Sequence, residues 1–161
     1  MHALRHTQFT EEDYLREERI AGGKSEFYRG HMIAMAGGSF RHNRLCAELI
    51  YVFGKHLRGR PWRPSSSDQR LMTPDRLYTY PDLAVYCGKI VVRPGTSDVA
   101  TNPTVLVEVL SDSTREYDLG DKLDQYKQIP TLKYVLLFEP DEAQATVWSR
   151  EGEAWVHSEV R

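Results

Sequence analysis

Thr104-Val105-Leu106-Val107-Glu108-Val109-Leu110 is the stretch on which the fold turns. Its residues are apolar or β-branched with one exception, and no polar residue alternates with them. That pattern describes a strand covered on both faces, in the middle of a parallel or mixed sheet. The exception is Glu108. A carboxylate is almost never fully buried alone, because taking its charge out of water is expensive. Either a cation neutralises Glu108 or the strand is not central. Upstream, Tyr80-Pro81-Asp82-Leu83-Ala84-Val85-Tyr86 repeats the pattern with Asp82 as its charge, and downstream Lys122 falls in a short amphipathic segment. Two acids and a lysine around one sheet raise the question of a metal site.

Beyond Leu110, Ser111-Asp112-Ser113-Thr114 is turn-prone, a helix is expected over about 118–128, and Pro130 ends it. Tyr134-Val135-Leu136-Leu137-Phe138 is a second continuously apolar strand. Joined through that helix, the two strands would be parallel with a right-handed crossover. Towards the N-terminus, Thr10 is an N-cap followed by Glu11-Glu12-Asp13, acids at the positive end of a helix dipole, and Gly22-Gly23 closes the segment. Residues 25–28 and 32–35 form a hairpin around Arg29-Gly30-His31. Leu45, Leu49, Val52, Phe53 and Leu57 recur at helical spacing over 42–57, with Ser39 or Asn43 as cap. Short strands are expected around 62–63, 69–73 and 82–87, an edge strand at 90–92, and final strands near 146–148 and 155–157. The order defines an α/β (α+β) fold, with one mixed central β-sheet flanked by helices and an N-terminal helix and hairpin.

A chain of 161 residues suits one domain, here 1–161. The net charge of -2 provides no global basic field for nucleic acid. Cys46 and Cys87 form no CxxC pair and read as reduced thiols. No segment is apolar for long enough to span a bilayer, and Met1-His2-Ala3-Leu4-Arg5-His6 lacks the apolar centre of a signal peptide, so the cytoplasm is the expected compartment.

Alternation along a strand puts Asp82 on a face with Ala84 and Tyr86, and Glu108 with Leu106 and Leu110. Two acids at one site repel unless a cation intervenes, and Mg²⁺ commonly binds through one or two carboxylates plus phosphate oxygens and water. The plainer reading has Asp82 capping a turn and Glu108 paired with an arginine or lysine. In the helix, Leu119, Leu123 and Tyr126 form the expected buried stripe; Lys122 lies at its edge, ~60° from Leu119 and ~40° from Tyr126. Its ammonium could reach over the sheet end or snorkel to solvent, the default for a lysine. Lys127 flanks the other side of the stripe. By default Glu26 is an exposed hairpin charge, and His42 is a cap or surface residue with a metal role as the alternative. Arg58, Arg60 and Arg63 read as a solvated helix end rather than a phosphate-contacting patch. There is no phosphate-binding glycine loop, G-x-S-x-G elbow or zinc-type cysteine or histidine pair.

The ordered set Tyr14-Leu15, Glu26-Phe27-Tyr28-Arg29-Gly30, Met35-Ala36-Gly37-Gly38-Ser39 with His42, Tyr80-Pro81-Asp82, Asn102-Pro103-Thr104, Glu108-Val109-Leu110-Ser111, Asp118 to Lys122 to Tyr126, and Pro130 to Tyr134-Val135-Leu136 resembles the Uma-two family of bacterial endonucleases, within the PD-(D/E)XK restriction-endonuclease-like superfamily. The resemblance implies a mixed sheet presenting two acids and a lysine to Mg²⁺ (Mn²⁺ substituting) and a scissile phosphate of DNA. Asp82 would be the Pro-Asp acid, Glu108 the second acid, the Val109 carbonyl a further metal ligand, and Glu26 the upstream acid. The lysine usually found two residues after the second acid is replaced by Leu110, and the resemblance assigns its role to Lys122 on the following helix. A phosphodiester hydrolase is the activity implied, with a homodimer favoured for cutting both strands. An inactive nucleic-acid-binding or regulatory module on the same fold is the alternative, and a hydrolase of small phosphoesters comes third.

Overall fold

The structure is a computed structural model describing residues 8–161; the reading of Met1 to His6 lies outside them. The elements run α1 (Glu11–Ile20), β1 (Ser25–Tyr28), β2 (His31–Ala34), α2 (Phe40–Leu57), β3 (Trp62–Ser66), β4 (Arg70–Met72), β5 (Tyr78–Thr79), β6 (Leu83–Cys87), β7 (Val99–Ala100), β8 (Val105–Val109), α3 (Arg115–Leu119), α4 (Asp121–Lys127), β9 (Tyr134–Phe138), β10 (Ala145–Glu151) and β11 (Ala154–Val160). The larger sheet has the order β11-β10-β9-β8-β6-β3. β8, the stretch that decides the fold, is central in it and buried throughout. It pairs in parallel with β9 across the α3–α4 crossover and antiparallel with β6, so the sheet is mixed.

Each face of this sheet has its own core. Val105, Val107 and Val109 join Leu83 and Val85 beneath α2, which contributes Leu45, Leu49, Ile50, Phe53 and Leu57. Leu106 and Leu110 face the other way, with Ala84 and Tyr86, against Leu123 and Tyr126 of α4. The two-residue period of β8 therefore sends Glu108 to the α4 side. Ser39 caps α2 by accepting a hydrogen bond from the His42 N–H, so α2 begins at Phe40, before the expected start.

A second, five-stranded sheet was not legible in the sequence: β2-β1-β5-β4-β7. Its members β5 and β7 are two-residue strands, too short to show a period, and they extend the expected hairpin by pairing with β1 and β4. The edge strand expected at 90–92 reduces to a single bridge, Val92 to Ala100. Tyr14 stacks on Phe27, and Tyr78 meets both rings at a steep angle, between α1 and this sheet. Thr10 and Asp13 form a reciprocal capping box at the start of α1. Thr10→Ala removes the acceptor of the Asp13 N–H and is expected to cost about 1 kcal/mol in urea denaturation.

The expected helix over 118–128 is two helices. Gly120 has φ -108 and ψ -108, ending α3 and opening α4. A Cβ there would lie 2.9 Å from the Glu116 carbonyl oxygen, so glycine is what permits the break. The break re-phases the wheel, and Leu119, expected in the buried stripe, is 44% exposed. Among the described residues no helix is long and apolar enough to cross a membrane.

Candidate functional site

The carboxyl ends of β8 and β9, the start of β6 and the first turn of α2 meet at one end of the larger sheet. Lys122 is brought there by α4 and does not snorkel: it is 4% exposed. Its Nζ lies 3.0 Å from Glu108 Oε1, 3.4 Å from Glu26 Oε1 and 3.5 Å from Asp118 Oδ1. Glu26 is likewise buried rather than an exposed hairpin charge. Strand β1 carries it inward, with Thr79 donating to its Oε1 at 2.5 Å and Tyr117 to its Oε2 at 2.8 Å. Tyr126 donates to Glu108 Oε1 at 2.5 Å, and Thr114 to Asp118 Oδ2 at 2.6 Å. One ammonium thus gathers acids from β1, β8 and α3, tying the second sheet to the first.

Asp82 immediately precedes β6, whose register with β8 pairs Leu83 with Val107. Continued by one residue, that register sets Asp82 opposite Glu108. The Asp82 Oδ2 accepts the Val109 N–H at 2.8 Å and lies 3.2 Å from His42 Nε2. Val109 thus meets Asp82 through its N–H. His42 is neither cap nor free surface residue: its ring is clamped between Asp82 and Cys46, whose Sγ is 3.7 Å from Nδ1.

Burial dominates the electrostatics. It pushes the Glu108 carboxyl up to about 8, with Lys122 opposing and the charges of Asp82 and Asp118 reinforcing the shift. Burial also works against the Lys122 ammonium, but Glu108, Tyr126, Glu26 and Asp118 outweigh it and hold Lys122 well above its ordinary value. Asp82 is lowered despite burial, because His42 and the Val109 N–H stabilise its anion. The bond to Asp82, then that to Cys46, raises His42 to about 10, so the ring is a cation at neutral pH. Among the described residues four carboxyl groups, those of Asp82, Glu108, Glu26 and Asp118, face two cations, Lys122 and His42, an excess of two acids.

That excess fits a divalent cation, and so does the donor set. Asp82 Oδ1 and Glu108 Oε2 make no hydrogen bond among the described residues, while their partner oxygens are fully engaged. Carboxylate oxygens are hard donors suited to Mg²⁺ or Mn²⁺. His42, Cys46 and Asp82 also converge, with potential ligand atoms within 4.8 Å of one another. That trio fits an ion less well, because the ring turns different nitrogens to Asp82 and Cys46 and holds its proton strongly.

The structure thus brings together Glu26, Glu108 and Lys122, with Asp82 and Val109 beside them. Lys127 is elsewhere, its Nζ 3.5 Å from the centre of the Trp148 ring. Asp118, Tyr117, Thr79 and Thr114 were not singled out as site members. The one available signal was Asp118 four residues before Lys122, the favourable order for a helical acid–lysine pair.

The central mixed sheet, its helical crossover and the N-terminal helix and hairpin make this a restriction-endonuclease-like fold. The chain belongs to the Uma2 family, described as "Putative restriction endonuclease", whose model matches residues 11–161. Two uncharacterised proteins of Synechocystis are relatives: sll1609, 34% identical over 131 residues, and slr1290, 35% identical over 127. The aligned regions cover 81% and 78% of this chain, and 74% and 66% of those proteins. The crystal structure of a "putative nuclease" from Anabaena variabilis superposes with a TM-score of 0.73 at 19% identity, over 92% of this chain and 83% of that one. At that identity the likeness is one of fold.

Proposed function

We propose that this protein is a Mg²⁺-dependent endonuclease hydrolysing phosphodiester bonds of DNA. The observation that carries the reading is the convergence of Asp82 and Glu108 beside the Lys122 ammonium, each acid keeping one oxygen, Oδ1 and Oε2, that makes no hydrogen bond among the described residues. Family membership and the nuclease-named structural neighbour support it.

Asp82, Glu108 and the Val109 carbonyl would hold Mg²⁺, with Mn²⁺ as a substitute. When bound, the ion supplies polarisation of the phosphoryl oxygen and acidification of water. The chain's own groups do the rest. His42 and the Val109 N–H fix the Asp82 carboxylate, leaving its other oxygen free. Glu26 and Asp118 hold Lys122 charged and aimed at Glu108, so its ammonium is preorganised to stabilise charge developing on a phosphate or to orient the attacking water. Tyr126 fixes the Glu108 rotamer.

Nicking of supercoiled plasmid tests the reading. Wild type is expected to nick with Mg²⁺ or Mn²⁺ and not in EDTA, and Asp82→Asn and Glu108→Gln to abolish nicking. Equal cleavage by both variants would move the chemistry to another site. DNA retention without any cleavage would make the protein a binding module on this fold.

A further inference from the structure

Two arginines flank the buried cluster in the chain, each one residue from a group that positions an acid. Arg41 precedes His42, the partner of Asp82, and Arg115 follows Thr114, which donates to Asp118. Both are held by one loop, the segment joining β9 to β10. Arg115 grips Glu139 in a fork, Nη1 to Oε2 at 3.0 Å and Nη2 to Oε1 and Oε2 at 2.7 and 2.8 Å. Arg41, its side chain 73% exposed, pairs with Asp141 two residues along. The loop starts directly after Phe138, whose carbonyl accepts the Leu110 N–H, so it is anchored at the same end of the sheet as Asp82 and Glu108.

The geometry is informative because a guanidinium meets carboxylate and phosphate with the same fork. A strand whose scissile phosphate reached the cluster would carry neighbouring phosphates past its rim. Arg115 is already engaged by a carboxylate in the fork a phosphate would adopt, and Arg41 by a single carboxylate oxygen. The Arg41–Asp141 pair, exposed on both sides, is worth little in water, so exchanging its anion for another costs little, while the Arg115–Glu139 fork is the firmer hold. The first turn of α2 holds no acid to compete with an incoming anion.

Resting on the endonuclease reading, we infer that Arg41 and Arg115 are the phosphate-contacting residues of the substrate groove and that Glu139 and Asp141 occupy them in the DNA-free protein. The acidic loop is then a built-in competitor of the substrate: binding requires it to release both guanidinium groups. It also suits a protein of net charge -2, which has no global field to draw DNA to the site.

Anisotropy of a fluorescein-labelled duplex of about 20 base pairs, titrated with the full chain in EDTA from about 50 to about 200 mM KCl, tests both halves. Each phosphate contact adds about 0.9 to the slope of log affinity against log salt, so Arg41→Ala/Arg115→Gln should lower the slope by about 1.8 and weaken binding at low salt about tenfold. Glu139→Gln/Asp141→Asn frees the same arginines and should tighten binding several-fold. Unchanged affinity and slope in the arginine variant overturn the assignment of phosphate contacts. Unchanged affinity in the loop variant overturns the competition. Arg41→Lys/Arg115→Lys guards against misfolding: it keeps the charge and should retain most of the slope. The endonuclease reading fails separately, through plasmid nicking: a protein that shows this binding pattern but never cleaves loses that reading and keeps the contacts. One that cleaves while its salt slope ignores both arginines does the reverse.

Discussion

Lys122→Met is expected to lower the stability of the metal-free protein by about 3–5 kcal/mol, the cost of breaking a buried ionic group by removing one partner. The ammonium lies within 3.5 Å of the carboxyl groups of Glu108, Glu26 and Asp118, all of them buried. Methionine matches the stem of lysine in length and fills its volume without a void, so the loss reports charge rather than packing. Without the cation these acids must take up protons or admit water, and urea denaturation at neutral pH in EDTA reads the cost. Lys127→Met is the control, because Lys127 only covers the face of Trp148 and should cost about 0.5–1 kcal/mol. A divalent ion bound by the same acids would restore part of the loss through mass action, about 2.7 kcal/mol at a hundredfold excess over its dissociation constant. Mn²⁺ should therefore raise the Tm of Lys122→Met by more than that of wild type. Equal stability of Lys122→Met and wild type in EDTA would mean that the cluster does not depend on the ammonium.

The central features of the fold were readable because each reaches its position by one short-range rule. Unbroken apolarity marked β8 and β9 as strands, and the helical segment between them implied a parallel pair; both are present, with β8 buried throughout and β9 only at alternate residues. Glu108 was visible because it violates that pattern. The burial of Lys122 was not, because a lysine at the edge of a stripe snorkels unless acids await it, and those acids come from elements far apart in the chain. Glu26 lies on β1, whose inward turn depends on pairing with the two-residue strand β5. No periodicity can announce such a strand. The Gly120 break was hidden for a similar reason: one glycine inside a helical pattern is normally tolerated, and only the close Glu116 carbonyl makes it decisive here. His42 likewise needed α2 packed on the sheet before its ring could meet Asp82. The long-range ionic contacts on which the site depends are thus what one-dimensional pattern leaves out.

Those contacts also set a pH dependence. Burial holds Glu108 protonated up to about pH 8, whereas the same group in the unfolded chain titrates near 4.5. Between these values the folded protein binds one more proton than the unfolded one, so this contribution to stability is fully present below about 4.5 and is lost as pH rises through about 8. Metal-free protein should accordingly melt at lower temperature at pH 8 than at pH 5.5, other titrations aside, and Glu108→Gln, neutral throughout, should flatten that decline. A hard cation requires the ionised carboxylate, so its binding expels the proton. Mn²⁺ affinity measured by calorimetry should then rise about 50-fold from pH 6 to pH 8 and level off above, with close to one proton released per ion near pH 6. His42 and Lys122 keep their charge across this range, since hydrogen bonds and neighbouring acids outweigh burial and leave both above it, and Asp82 is already ionised. Glu108 is therefore the group that titrates. If Mn²⁺ binds with the same affinity at pH 6 and pH 8 and releases no proton, Glu108 either does not hold the ion or is ionised before the ion arrives.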